Sequence, residues 1–163
     1  MNTSLGQAKI VTVGTSRPEE AMAVVVMGLV QSDRSGIAFT AHPVTESLDQ
    51  VIINSSWGLG EAIVSGRVTP DSFVVEKGSF AVLEREIYEK EMAIWPHPSG
   101  VGTVESDLDA VRATAPSLSD DEARAVARMA TMVEQHYGSP QDIEWGMQGD
   151  RLYLLQSRPI TTL

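Results

Sequence analysis

The 163-residue sequence has the composition of a folded globular domain, with 42% hydrophobic and 21% charged residues. Twelve Lys and Arg against 22 Asp and Glu give a formal net charge of −10. This charge argues against binding to nucleic acid or to an anionic membrane, because both need basic patches. The chain has no cysteine, and we find neither a transmembrane run nor the apolar core of a signal peptide. We therefore expect a cytoplasmic protein.

The chain divides into a lead-in over residues 1–20 and a folded region over residues 21–163. The lead-in is rich in Gly, Ser and Thr, and we expect it to be weakly structured apart from a short strand over Ile10–Val13. The run of Val residues within Met22–Val30 predicts a strand that is buried on both faces.

Four further strands and a short helical turn follow, and the last two strands form a hairpin. Apolar segments bounded by turn residues predict, in chain order, strands at Ile37–Thr40 and Val51–Asn54, a helical turn at Glu61–Val64, and a hairpin of Ser72–Glu76 with Phe80–Tyr88. Residues 96–118 are rich in Pro and Gly and show no apolar periodicity beyond one short helical turn. We expect a long, mobile loop there.

The clearest helix begins after Ser119. Ser119 and Glu122 have the spacing of a capping box, and Gly138 followed by Pro140 predicts the end of the helix. One apolar face recurs at helical spacing, with the residues Ala123, Val126, Ala127, Ala130, Val133 and Tyr137. Together these elements predict an α+β fold, an antiparallel sheet with one main packed helix.

A terminal hairpin of Asp142–Gln148 and Leu152–Arg158 carries polar residues on otherwise apolar strands. Asp142 and Glu144 share one face of their strand, and Gln156 and Arg158 share one face of theirs. A two-residue turn would pair Gln148 with Arg151 and send Gln156 to the opposite face from Glu144. A three-residue turn or a bulge would pair Gln148 with Leu152 and set Glu144 against Gln156.

We favour the second register, because it brings together a carboxylate, an amide oxygen and an arginine. Such a group suits a magnesium–polyphosphate complex, in which hard oxygens bind the metal and the arginine binds the terminal phosphate. The alternative is a salt bridge between Glu144 or Asp142 and Arg158 that closes the end of the sheet.

Three ordered stretches carry a resemblance to a known family. They are Ser35–Pro43, Ser56–Asp71 with its Gly58-Leu59-Gly60-Glu61 loop, and Pro140–Trp145 with Leu155–Leu163. The stretches closely resemble the ATP-binding domain of phosphoenolpyruvate synthases, pyruvate phosphate dikinases and rifampicin phosphotransferases. In that family two subdomains of an ATP-grasp fold close on ATP and magnesium. The resemblance implies that residues 21–163 form the C-terminal subdomain, the second half of the fold.

The resemblance also implies roles for the residues of the terminal hairpin. Glu144 and Gln156 would hold the Mg²⁺ ions that bridge the phosphates of ATP. Arg158 would bind the terminal phosphate and act as the catalytic residue that stabilises charge on the transferred group. Asp142 would support this nucleotide site. We interpret the Gly58–Glu61 loop as structural, since it lacks the pattern of a P-loop.

The family uses ATP to phosphorylate a carrier histidine, so the resemblance implies an ATP-dependent phosphotransferase. The first half of the ATP site and the phosphohistidine domain have no counterpart in residues 1–20, and we expect the isolated chain to be incomplete and inactive. Met27–Val30 depart from the polar pattern that relatives have near the adenine hinge. The alternative hypothesis is a non-catalytic, truncated module that pairs with another chain or forms a homodimer.

Overall fold

The computed structural model describes residues 9–14 and 21–161, with side chains described over 26–161. Strands β1 (Lys9–Gly14) and β2 (Ala21–Val26) form a separate antiparallel two-stranded sheet. The predicted strand over Ile10–Val13 is therefore confirmed, whereas the rest of the predicted lead-in lies outside the described residues. The predicted strand to Val30 is too long, because β2 ends at Val26. The expected burial on both faces is wrong at Val26, whose side chain is 55% exposed.

Six strands form the main sheet, and each neighbouring pair is antiparallel. In chain order they are β3 (Arg34–Phe39), β4 (Gln50–Trp57), β5 (Asp71–Glu76), β6 (Val82–Glu86), β9 (Gln141–Gln148) and β10 (Arg151–Pro159). Their spatial order is β10-β9-β3-β4-β5-β6. The last hairpin of the chain thus inserts next to β3, and this places β10 at the outer edge. The predicted strands are all present, with their ends shifted.

The segment between β4 and the main helix holds more secondary structure than its sequence predicts. Helix α1 (Glu61–Val64) is present as expected. The predicted long loop over residues 96–118 is wrong in part, because this part of the chain contains strand β8 (Thr103–Asp107), paired with β7 (Met92–Pro96). It also contains helix α2 (Ala110–Thr114), which overlaps the expected short helical turn. Contacts that sequence periodicity does not reveal stabilise these elements. The Trp95 indole donates to Ser106 Oγ at 2.9 Å, and the Asp109 carboxylate caps α2.

Helix α3 (Asp120–Tyr137) packs on one face of the main sheet. The predicted capping box is confirmed, since Ser119 and Glu122 exchange side-chain and backbone hydrogen bonds, and Gly138 ends the helix in the left-handed conformation with φ 71°. The expected apolar face is confirmed except at Tyr137. That side chain is 60% exposed and contacts the His136 ring edge-on. The core between α3 and the sheet consists mainly of Val51, Ile53, Phe73, Val75, Val126, Ile143 and Trp145.

A buried ion pair anchors the irregular connections at one end of this core. Lys90 Nζ lies 2.6 Å from Asp71 Oδ1, and both side chains are 0% exposed. Ser117 donates from its backbone N–H and its hydroxyl to Asp71 Oδ2, each at 2.7 Å. These bonds offset the cost of burying two charges. They attach the segments that precede β7 and α3 to strand β5.

The architecture is therefore α+β, an antiparallel sheet with one main helix on one face. The opposite face carries Asp142, Glu144, Gln156 and Arg158 of the terminal hairpin. None of the helices over residues 21–161 is long and apolar enough to cross a membrane.

Candidate functional site

The terminal hairpin combines a tight turn with a β-bulge. Gln148 pairs with Arg151 across a two-residue turn, so the predicted pairing of Gln148 with Leu152 is wrong. The register then shifts after Leu154, because Leu155 has no partner of its own on β9. Beyond this bulge Gln156 lies opposite Glu144, as the favoured prediction requires. The bulge, and not a longer turn, brings the two polar residues to the same face.

Three polar side chains meet at this point of the sheet. Gln156 Nε2 donates to Glu144 Oε1 at 3.3 Å, and an Arg158 guanidinium nitrogen lies 3.7 Å from the same oxygen. The Glu144 side chain is 39% exposed and that of Arg158 is 65% exposed. The predicted alternative, an ion pair that involves Glu144 and Arg158, is thus present. An exposed pair at this separation contributes little to stability, which leaves both groups available to a ligand.

Asp142 lies one pleat away, with Arg158 as its partner on β10. Its Oδ1 atom is buried and has no hydrogen-bond partner among the described side chains and backbone. Burial raises the pKa of the Asp142 carboxyl, and the charge of Arg158 opposes that rise. Asp142 therefore lies next to Glu144, Gln156 and Arg158, but it forms no ion pair with Arg158.

A pocket of about 530 Å³ opens directly over Glu144 and Gln156. Most of its wall is apolar, with a small number of polar side chains among the lining residues, as is typical of ligand sites. Five parts of the chain line it: the segment Met27–Val30 with Ser32, strand β3 at Gly36 and Ile37, the segment from Leu59 to Val64, Thr103 of β8, and the terminal hairpin at Glu144, Trp145, Leu155 and Gln156.

The Gly58–Glu61 loop forms one wall of this pocket. Gly58 has φ +76°, and a Cβ atom there would lie 2.3 Å from the backbone oxygen of Ile94. The Ser35 hydroxyl donates to the Gly58 carbonyl at 2.7 Å, and the Leu59 N–H donates to Ile94 at 2.7 Å. Only glycine fits this close approach of two backbones. The geometry at Gly58 agrees with the structural role that we assign to the loop.

Two pocket residues, Thr103 and Leu155, are not identified by the sequence patterns. Thr103 lies in the segment that the sequence predicts as a loop, so nothing local points to it. Leu155 has a visible signal, because the consecutive residues Leu154 and Leu155 break the alternation of a half-buried strand. Such a break marks a bulge. The bulged residue turns into the pocket beside Gln156.

Glu144 and Gln156, which both line the pocket, fit a magnesium ion that is bound together with phosphates. Over residues 9–14 and 21–161 the structure contains no cluster of three or more His, Asp or Glu side chains that could hold a metal by themselves. Mg²⁺ commonly takes only one or two protein oxygens and completes its octahedron with water and substrate phosphates. The adjacent Glu144 carboxylate and Gln156 amide match that requirement.

Comparisons with known proteins give matches over most of the chain. The chain matches the family model described as pyruvate phosphate dikinase, AMP/ATP-binding domain, over residues 8–163. It is 45% identical to a probable phosphoenolpyruvate synthase of Pyrococcus horikoshii over 151 residues, which cover 87% of this chain and 18% of that protein.

Relatives with other names match equally large parts of the chain. The chain is 41% identical to the prodigiosin synthesizing transferase PigC of Serratia marcescens, over 91% of this chain and 17% of that protein. It is 39% identical to the rifampicin phosphotransferase of Bacillus subtilis, over 92% of this chain and 17% of that protein. The chain thus spans less than a fifth of the length of these relatives.

Proposed function

The chain belongs to the family of pyruvate phosphate dikinase AMP/ATP-binding domains, and on that premise we propose that its pocket binds ATP with Mg²⁺. It would do so as the C-terminal subdomain of an ATP-grasp domain, spanning residues 21–163. The single observation that carries this proposal is the register of the terminal hairpin. It sets the Glu144 carboxylate beside the Gln156 amide in the wall of a mostly apolar pocket.

Each part of the pocket has a role in this proposal. The apolar wall from Met27 to Val30 would contact the nucleoside, and Glu144 and Gln156 would bind Mg²⁺. When bound, Mg²⁺ neutralises charge on the phosphates and orients them for transfer. The Gln156 side chain would rotate its amide, because its nitrogen now faces Glu144 and only its oxygen can bind a cation.

Arg158 would act on the terminal phosphate as the catalytic residue. Its guanidinium is largely exposed and only loosely paired with Glu144, so it can turn towards a phosphate at small cost. A planar fork of N–H donors stabilises the charge that develops on a transferring phosphoryl group. Asp142, one pleat away, would support the orientation of Arg158 through its charge.

We propose that the bound ATP phosphorylates a carrier histidine in a phosphohistidine domain, with the cations that complete the site coming from the other ATP-grasp half. Relatives named phosphoenolpyruvate synthase and rifampicin phosphotransferase support this reaction class. The phosphate would then pass to pyruvate or to a hydroxyl of a small molecule. The absence of cysteine from the sequence supports a cytoplasmic location.

Calorimetric titration with Mg-ATP tests the proposal. We expect measurable binding to the wild-type chain, and a loss of about tenfold or more in affinity for Glu144→Ala and for Gln156→Ala. Glu84→Ala provides a matched control, because Glu84 is exposed on β6 at the far edge of the same sheet. Its affinity should equal that of the wild type. Binding that survives both pocket substitutions would exclude Glu144 and Gln156 as metal ligands.

A second candidate function is a non-catalytic module that pairs with another chain or with itself. It is favoured by one observation, the exposed apolar side chains of Val26, Met27, Leu29 and Val64, three of which line the pocket. Sedimentation over a range of concentrations tests self-association. A dimer that Leu29→Glu dissociates would support this function, whereas a monomer at every concentration would exclude the homodimer.

A further inference from the structure

Strand β10 is weakly held where it carries Gln156 and Arg158. Among the described strands it pairs only with β9, and its ladder is interrupted by the bulge at Leu155. Pro159 follows directly and has no N–H to give to the ladder. Outer strands with interrupted ladders are prone to slip, and a slip by one residue would turn Gln156 and Arg158 away from the pocket.

A side-chain hydrogen bond restrains this stretch from the opposite face. The Ser157 hydroxyl donates to Gln141 Oε1 at 2.7 Å, and Gln141 is 2% exposed. Ser157 stands between Gln156 and Arg158. Because neighbouring residues of a strand point to opposite faces, holding Ser157 on the α3 face directs both neighbours to the pocket face.

The Gln141 amide is itself fixed in one orientation. Its Nε2 donates to the backbone oxygens of Ser139 and Pro140 at 3.1 and 3.2 Å and to the Ser139 hydroxyl at 3.1 Å. These three acceptors leave Oε1 directed at Ser157. Gln141 Oε1, which accepts the hydrogen bond from Ser157, is therefore already oriented in the ligand-free chain.

Gln141 is also connected to the main helix. Its backbone N–H donates to Thr40 Oγ1 at 2.8 Å, and Thr40 donates to Glu134 of α3 at 3.1 Å. Lys77 Nζ contacts both oxygens of the same Glu134 carboxylate, at 2.6 and 2.8 Å. A continuous set of hydrogen bonds thus links Ser157 to the packed body of the domain.

We infer that Gln141 and Ser157 are positioning residues for the nucleotide site. They fix the register of β10 beyond its bulge, and this keeps Gln156 and Arg158 on the pocket face beside Glu144. The inference rests on the proposed function, since it concerns how the same site is held in its binding geometry. Neither residue lines the pocket; both act through the backbone of β10.

The test combines amide hydrogen exchange in the nucleotide-free chain with titration by Mg-ATP. Ser157→Ala should speed exchange at residues 156–158, leave exchange within α3 unchanged, and weaken Mg-ATP binding about three- to tenfold. Ser157→Thr keeps the hydroxyl, so its exchange rates at residues 156–158 and its affinity for Mg-ATP should equal those of the wild type. Ser79→Ala, which removes a hydroxyl bonded to Glu76 in the β5–β6 turn, is the matched control and should change neither.

The hydrogen-exchange measurement and the Mg-ATP titration together distinguish a failure of this inference from a failure of the proposed function. If the wild type does not bind Mg-ATP, the proposed function is wrong, and the exchange at residues 156–158 alone decides the positioning role. Unchanged exchange in Ser157→Ala overturns the inference, as does faster exchange with unchanged binding in a wild type that binds. Should Ser157→Ala unfold, Ser157→Cys, with a similar shape and a weaker donor, gives the same comparison.

Discussion

Two carboxylate–cation pairs, each with its carboxylate on a strand of the main sheet, differ sharply in their surroundings. Asp71 and Lys90 are completely buried, and Asp71 accepts further bonds from Ser117 and from the backbone of Tyr88. Glu144 lines the pocket and Arg158 lies beside it, 3.7 Å away, and both side chains are partly exposed. The buried pair has its oxygens occupied by the protein, so it holds the fold together. The exposed pair is loosely coupled and has bonding capacity left for a ligand.

The buried pair gives the largest expected effect. Lys90→Met would leave the Asp71 charge buried without its cation, and we expect the free energy of unfolding to fall by about 3–5 kcal/mol. Chemical denaturation measures this loss. Arg158→Met is the matched control, with an expected change within about 1 kcal/mol. Equal losses in the two variants would contradict the distinction between the pairs.

The next effect compares neighbouring residues on opposite faces of β9. Ile143 is buried under α3, and its replacement by Ala should cost about 2–5 kcal/mol of unfolding free energy. Glu144→Ala should change that quantity by no more than about 0.5 kcal/mol. For Mg-ATP affinity we expect the opposite order, with a larger loss for Glu144→Ala than for Ile143→Ala. Both variants are titrated at a temperature at which they are folded. A Glu144→Ala variant as unstable as Ile143→Ala would show that the pocket face is structural.

The smallest effect concerns Asp142 and depends on pH. Burial raises the pKa of the Asp142 carboxyl, so the folded chain binds this proton more tightly than the unfolded chain. The contribution of this group to stability is therefore full in acid and falls as the pH rises through the raised pKa. We expect Asp142→Asn to be more stable than the wild type at neutral pH, by about 0.5 kcal/mol.

Denaturation of both proteins in acid and at neutral pH checks this dependence. The stability difference between Asp142→Asn and the wild type should shrink as the pH falls below the ordinary range of carboxyl groups. A difference that grows in acid would mean that the pKa of Asp142 is lowered, and that the charged carboxylate is stabilised in the folded chain.

The elements with strong local signals were predictable from the sequence. The capping box at Ser119 and the terminal Gly138 predict helix α3, and the structure has both. The meeting of Glu144 and Gln156 was also predictable, since polar residues on apolar strands need partners. The length of the turn was not predictable, because a two-residue turn with a bulge and a longer turn both set Glu144 opposite Gln156.

Features that depend on distant contacts could not be predicted. Lys90 lies between Glu89 and Glu91, so the sequence suggests a solvated charged segment, yet its side chain is buried against Asp71. Strand β8 is exposed along its whole length and has no apolar alternation to reveal it. Its pairing with β7 depends on contacts such as that between Trp95 and Ser106.

Replacement of Mg²⁺ by paramagnetic Mn²⁺ tests the central claim most directly. In a titration of the isotopically labelled chain with Mn-ATP, followed by NMR, the backbone amide signals of Glu144 and Gln156 should broaden first. Signals around Asp71 and Lys90, in the buried pair, should stay sharp. Broadening that spares Glu144 and Gln156, or that appears equally across the exposed acidic residues of the chain, would contradict the proposed metal–nucleotide site.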